Sequence, residues 1–269
     1  MMVSLLSKPL VYQIPVCPFS QRLAILLEQR GKKSAVDFQV VDITIPRDPA
    51  LLAKTRGTTQ LPVLETTDGK IIKESMIILN YLDELLEGPR LRCTDPAEHA
   101  IELMLVTREG PFTMAGYLFV MNQDRAKRQD HLDKILSIYR DMDDFLMQYN
   151  PDGTFLFEEF GFAEAVFAPM FQRFWFLDYY EDFELPQTTE YARVSKWRNA
   201  ILDHPWTHQV TKEEIVKLYY DYALGAHNGA LLPGRKKSTF AFTPHWKDRP
   251  MPPKNKYDGT ATDEELGLV

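Results

Sequence analysis

Residues 16 to 20, VCPFS, place a cysteine, a proline and a serine where an extended run gives way to a helical one. A thiol reacts as its thiolate, and the unpaired N–H groups and dipole at a helix start favour that charge. Cys17 falls in the N-cap region, Pro18 at the first helical position with its φ already suitable, and Ser20 within the first turn. A redox Cys-x-x-Cys site would need a second sulfur at position 20. Ser20 stands there, so any disulfide made by Cys17 is mixed, with a small thiol or a substrate. The plain alternative is a cysteine that packs as a small buried hydrophobe. Two more segments bear on the choice. QLPVLE, 60 to 65, puts Pro62 at the start of a β-rich run. KESM, 73 to 76, puts Ser75 where it would cap a helix and hold a carboxylate, with Glu74 suited to an ammonium group.

These residues need elements to bring them together. The first 87 residues read as mixed α/β. LVYQI (10–14) and AVDFQVV (35–41) are short strands, the second with apolar alternation at Val36, Phe38 and Val40. Phe19, Leu23, Leu26, Leu27 and Arg30 mark one face of a helix over 18–30, which Gly31 ends. A second helix is predicted from near Asp48-Pro49 to before Gly57. Residues 61–74 hold two strands joined through Asp68-Gly69, a hairpin signal. A third helix starts at Ser75 and turns Ile78, Leu82 and Leu85 inward. The order β-α-β-α-β-β-α, antiparallel in its second half, points to a thioredoxin-like fold. EGPRLRCTDP, 87 to 96, reads as a linker, and Ala97 to about Tyr222 as helical throughout. The expected organisation is a thioredoxin-like domain over 1–87, an all-α domain over 97–224 and an irregular tail over 225–269. Phe240, Phe242 and Trp246 argue that the tail lies across the folded body rather than free of it.

Composition excludes several roles. A net charge of −7 disfavours a broad nucleic-acid surface, and Arg235-Lys236-Lys237 is expected to be a solvated loop. Two cysteines make no disulfide framework and suit a reducing compartment. With no signal-peptide pattern and no apolar run near the ~20 residues that span a bilayer, a cytoplasmic location away from membranes is expected. His204 and His208 have i, i+4 spacing, but Pro205 disrupts a helix there and no carboxylate completes a site, so no metal is expected. Cys93 lies in the linker as a bystander thiol, and DYYEDFE (178–184) reads as a solvated acidic edge.

In a thioredoxin-like frame a cis-proline opens the third strand and faces the cysteine turn. Pro62 has that place, and Leu61 before it can pair its backbone with an extended peptide. A carboxylate and an ammonium group on one α-carbon, matched by Ser75 and Glu74, describe the γ-glutamyl end of glutathione. Together with Cys17 the constellation favours a glutathione site.

At CPFSQR, LPVLE and KESMIILNYLDE the sequence resembles the cytosolic glutathione transferases, specifically the cysteine-type, omega-like class. LLAKTRGTTQLPVL, APMFQRFWFLDYYEDFE, KLYYDYALG and RPMPPKNKYDGTATDEELGL extend the likeness, nearly full length, to the bacterial glutathione lyases of lignin β-aryl-ether breakdown. The resemblance implies the glutathione transferase fold, glutathione as co-substrate and a homodimer. It implies Cys17 as the catalytic thiolate, with Phe19, Leu61, Pro62, Glu74 and Ser75 on glutathione and Arg47, with Lys54 as competitor, at the glycyl carboxylate. The implied substrate is an α-keto aryl thioether of glutathione. Its ketone would need a donor and its ring flat apolar walls. Tyr219 and Tyr220 are the favoured candidates, with Met114, Tyr117, Phe171 and Trp175 as further ones. A general thiol transferase or dehydroascorbate reductase would use Cys17 identically, and a non-catalytic glutathione or aryl-ligand binder is the third reading. The family usually opens a core helix of its second domain with a Ser/Thr-x-x-Asp box. Here Gly161 and Glu164 occupy those positions, so a weaker cap is expected.

Overall fold

The computed structural model describes residues 6–227 and 229–269. Strand β1 (Leu10–Gln13) runs parallel to β2 (Asp37–Val40) and antiparallel to β3 (Val63–Glu65), which pairs in turn with β4 (Ile71–Ile72). The sheet order is therefore β2-β1-β3-β4. A parallel β1–β2 pair needs a crossover, and helix α1 (Pro18–Gln29) supplies it. Helix α2 (Pro49–Lys54) precedes β3, and α3 (Ser75–Leu85) follows the β3–β4 hairpin. Gly69, at φ +81, takes the left-handed position of that hairpin turn.

Side chains alternate across the strands and so serve two layers. Val11 and Leu64, opposite one another in register, join Leu23 and Leu26 of α1 and Ile78 and Leu82 of α3 in the main core. Tyr12 and Val63 face the other way, into a small cluster with Val41 and Leu51. The predicted inward alternation of β2 is corrected by the structure. Val36 is buried, but Phe38 and Val40 are exposed, because β2 is the edge strand with β1 on one side only.

Helices follow: α4 (Pro96–Val106), α5 (Glu109–Met121), α6 (Arg128–Tyr149), α7 (Phe162–Arg173), α8 (Trp175–Tyr180), α9 (Ala192–Asp203), α10 (Lys212–Leu218) and α11 (Tyr220–Ala223). A thioredoxin-like sheet with its helices, followed by an all-helical part, is the glutathione transferase fold. Every residue of α7 is buried, as befits a helix apolar on nearly all sides at the centre of a domain. Its own Phe167 and Phe171 pack ring to ring with Phe112 of α5 and Trp197 of α9. A Cβ at Gly116 of α5 would lie 2.1 Å from the Phe174 ring, so only glycine lets that ring approach.

The start of α7 is stronger than its glycine cap suggests. Glu164 accepts the Gly161 N–H at 2.9 Å, and Glu102, reaching over from α4, accepts the Phe162 N–H at 3.1 Å. A side chain from a neighbouring helix thus does what a local serine or threonine would do.

From Gly225 onward the one helical turn among the described residues is Trp246–Asp248. Ion pairs tie this tail down and correct two expectations. Arg235 is buried between Asp221 and Asp263, not solvated. Glu181, in the supposed acidic edge, is buried and paired with Lys256 of the tail at 2.6 Å and with Arg128 at 3.0 Å. Buried charges persist where partners and hydrogen bonds offset their desolvation, and Lys256 also donates to the carbonyls of Val120 and Asn122.

Candidate functional site

Cys17 caps α1 with extended backbone (φ −68°, ψ 122°), and Pro18 follows as the first helical residue. The Cys17 carbonyl accepts the Gln21 N–H, and its own N–H donates to the Ile14 carbonyl, which closes a tight turn. The side chain is buried, and its Sγ lies 3.8 Å from the Leu61 carbonyl oxygen. The Leu61–Pro62 peptide is cis, and β3 pairing begins only at Val63, so Leu61 stands outside the ladder beside the cysteine.

The turn is held from behind by α7. The Val16 carbonyl accepts from Arg173 through Nε at 3.1 Å and Nη2 at 2.7 Å, and from the Tyr219 hydroxyl at 3.4 Å. Arg173 Nη1 donates to Gln21 Oε1 at 2.8 Å, and Gln21 in turn donates to Gln172 and Gln209. Among the described residues Arg173 is fully buried with no carboxylate in ion-pair range. Burial raises the Tyr219 hydroxyl above its ordinary value, and the positive Arg173 opposes that rise. Tyr219 therefore keeps its proton at neutral pH and acts as a donor. Tyr117 meets it hydroxyl to hydroxyl at 3.4 Å, while Phe176 and the tail residue Phe240 pack against its ring.

Ser75 is the first residue of α3 rather than its cap. Glu74 holds the cap position with φ +67°, a conformation unfavourable for a side chain, and its carboxylate is exposed and makes no capping bond. Ser75 is buried and its Oγ accepts from Arg22 Nη1 at 2.9 Å. Arg22, on α1, stands 5.1 Å over the Phe19 ring and pairs with Glu109 of α5 at 2.6 Å. Burial lowers the Arg22 guanidinium from its ordinary value, and Glu109 opposes this.

Cys17, Leu61 and Pro62 thus come together directly, and Phe19 and Ser75 are joined through Arg22. Arg47 donates through Nη2 to the Thr59 carbonyl and has Nη1 without a partner. Three expected site residues, Lys54, Tyr220 and Phe171, are engaged elsewhere. Lys54 is bound to Glu65 at 2.7 Å and to the Tyr12 hydroxyl. The Tyr220 hydroxyl accepts the Ala261 N–H and so points to the tail. Phe171 lies in the aromatic core with Phe112 and Trp197, and Met114 is exposed on α5. Trp175 is half-buried against the helical core. His204 caps the Trp206 N–H, and no group of three or more potential metal ligands occurs among the described residues. Open cavities of about 490 and 370 Å³ are lined by other residues, around Lys256 and Asp178.

Sequence reading gave no role to Arg22, Gln21, Glu109 or Arg173. The available signal was an arginine at position 22, between Phe19 and Leu23 on the inward face of α1, where a solvated charge would be out of place.

The N-terminal domain model of glutathione S-transferases matches residues 11–90, and the C-terminal domain model matches 125–200. Together they span more than half of the chain, which belongs to the glutathione transferase superfamily of enzymes. It is similar to glutathione S-transferase omega-1 of Sus scrofa, 35% identical over 95 residues, which are 35% of this chain and 38% of the relative. It is 28% identical to a probable glutathione transferase omega-2 of Caenorhabditis elegans over 81% of this chain and 87% of that one. The match to the pig protein thus spans little more than a third of that protein's length, whereas the nematode match spans 87% of its relative. The crystal structure of glutathione transferase Omega 3C from Trametes versicolor superposes with a TM-score of 0.64 at 20% identity, over 77% of this chain and 90% of that one, a likeness of fold.

Proposed function

We propose that this protein is a glutathione-dependent lyase that removes glutathione from an α-keto aryl thioether. The observation that carries the reading is a lone sulfur, Cys17, at a helix start beside Leu61, with the protonated Tyr219 hydroxyl bound to the preceding carbonyl. Residues 1–87 would bind glutathione, 97–224 the aryl group, and 225–269 would close the tyrosine cluster through Phe240. Ser75 and Glu74 hold the γ-glutamyl end, Phe19, Leu61 and Pro62 flank the peptide, and the partnerless Nη1 favours Arg47 over the engaged Lys54 for the glycyl carboxylate.

The Cys17 thiolate attacks the glutathione sulfur of the thioether. The carbon–sulfur bond breaks, and its electron pair leaves as an enolate stabilised by the ketone, with the Tyr219 or Tyr117 hydroxyl as donor once it turns from the Val16 carbonyl or from its partner tyrosine. Protonation gives the ketone. A second glutathione attacks the glutathione sulfur of the mixed disulfide, which releases glutathione disulfide and the Cys17 thiolate. Ser20 at the resolving position leaves that step to the second glutathione. A homodimer belongs to this reading, supported by large exposed apolar side chains at Ile77, Leu103, Met104, Met114 and Leu118. A cytoplasmic setting is supported by two free cysteines.

The test supplies glutathione and an α-keto aryl thioether of glutathione. Ketone and glutathione disulfide should appear one for one, and both should vanish in Cys17→Ser. Tyr219→Phe should keep the fold and lower kcat on the order of a hundredfold. Full activity in Cys17→Ser would sink the proposal. Turnover of small mixed disulfides alone would select the general thiol transferase, a reading favoured by the omega-class relatives.

A further inference from the structure

Ser75 has one hydroxyl proton, and the Arg22 guanidinium has donors only. Where Arg22 Nη1 meets Ser75 Oγ at 2.9 Å, the serine must accept, and its own proton is left for another group. No acceptor among the described residues takes that proton.

Arg22 is well fixed for this. Its Nη2 pairs with Glu109 at 2.6 Å, its Nε faces the Val166 carbonyl at 3.3 Å, and the Phe19 ring lies against the guanidinium. Both charged side chains are almost fully removed from solvent. Glu109 is held in turn by the Thr113 hydroxyl at 2.6 Å. Three elements, α1, α3 and α5, thus converge on one hydroxyl.

We propose that Arg22 is a positioning residue for the α-carboxylate of the γ-glutamyl group: by occupying the acceptor side of Ser75 Oγ it turns the hydroxyl proton toward the ligand. The inference rests on the reading of Ser75 as a carboxylate site. The Arg22–Glu109 pair sets how strongly an anion is favoured there, since Glu109 offsets most of the guanidinium charge.

Calorimetric titration of the full chain tests this with two unreactive ligands, S-methylglutathione and its analogue lacking the α-carboxylate, S-methyl-γ-aminobutyryl-cysteinylglycine. The unaltered protein should prefer the first by about tenfold or more, as expected for a hydrogen bond to a charged group. The double variant Arg22→Met/Glu109→Leu removes both buried charges and should lose most of that preference while holding the analogue as before. Glu109→Gln leaves the guanidinium unbalanced, so the preference should widen. A purely structural role would weaken both ligands alike. The double variant keeping the full preference, or Glu109→Gln narrowing it, would overturn the proposal. If circular dichroism finds the double variant unfolded, the direction of change in Glu109→Gln decides. An unaltered protein that binds both ligands equally would remove the carboxylate reading of Ser75 itself, a separate failure.

Discussion

Cys17 and Cys93 carry the same thiol in opposite surroundings. Burial, together with Glu102, Glu98 and Glu164, pushes the Cys93 thiol up to about 12, so at neutral pH it stays protonated and unreactive. Cys17 has a helix start and the Leu61 carbonyl beside it, with no carboxylate bonded to its sulfur among the described residues. Limited alkylation with iodoacetamide at pH 8 should therefore modify Cys17 and spare Cys93. Peptide mass spectrometry reads the outcome, and comparable labelling of Cys93 would contradict the assigned environment. The Cys93 sulfur faces the Glu102 carboxylate that caps α7.

At the scale of elements, α7 depends on that same carboxylate. Glu102 is buried, and desolvation raises its pKa above the ordinary carboxylate value, while hydrogen bonds from His99, Cys93 and Phe162 work the other way. A raised carboxyl binds its proton more tightly folded than unfolded. Its contribution to stability is complete below the unfolded value near 4.5 and declines as pH rises through the folded one. Glu102→Gln removes this titration. The stability difference between the unaltered protein and Glu102→Gln should thus be more favourable to glutamate at pH 4.5 than at pH 7.5. Urea denaturation at the two pH values measures it, and the opposite trend would show that the hydrogen bonds outweigh desolvation.

For the whole molecule, the tail is fastened by buried charges rather than by regular structure. Arg235 sits between Asp221 of α11 and Asp263, and Arg249 donates to the carbonyls of Thr239, Ala241 and Pro244. Arg235→Leu would leave two carboxylates buried without their cation, at a cost of about 3–5 kcal/mol. Equilibrium urea unfolding should show that loss, and a change below about 1 kcal/mol would mean that the tail contributes little to stability. Because Phe240 packs on Tyr219 and Tyr222, loosening the tail should also disturb the tyrosine cluster.

What the sequence determined by itself was local: the cysteine at a proline-initiated helix, the Asp68-Gly69 hairpin, Pro62 at a strand start, and the element order that implied the sheet. These follow from steric preferences and periodicity over a few neighbouring residues. What only the tertiary structure decided was long-range pairing. Arg173 reaches the Val16 carbonyl across 157 positions, and Arg22 reaches Ser75 across 53. Separations of 42 and 41 positions likewise hid the engagement of Lys54 with Tyr12 and of Tyr220 with the tail. A buried charge takes whichever partner the packing of distant elements brings within reach. Composition records that the charge is present, and the fold alone selects its counterpart.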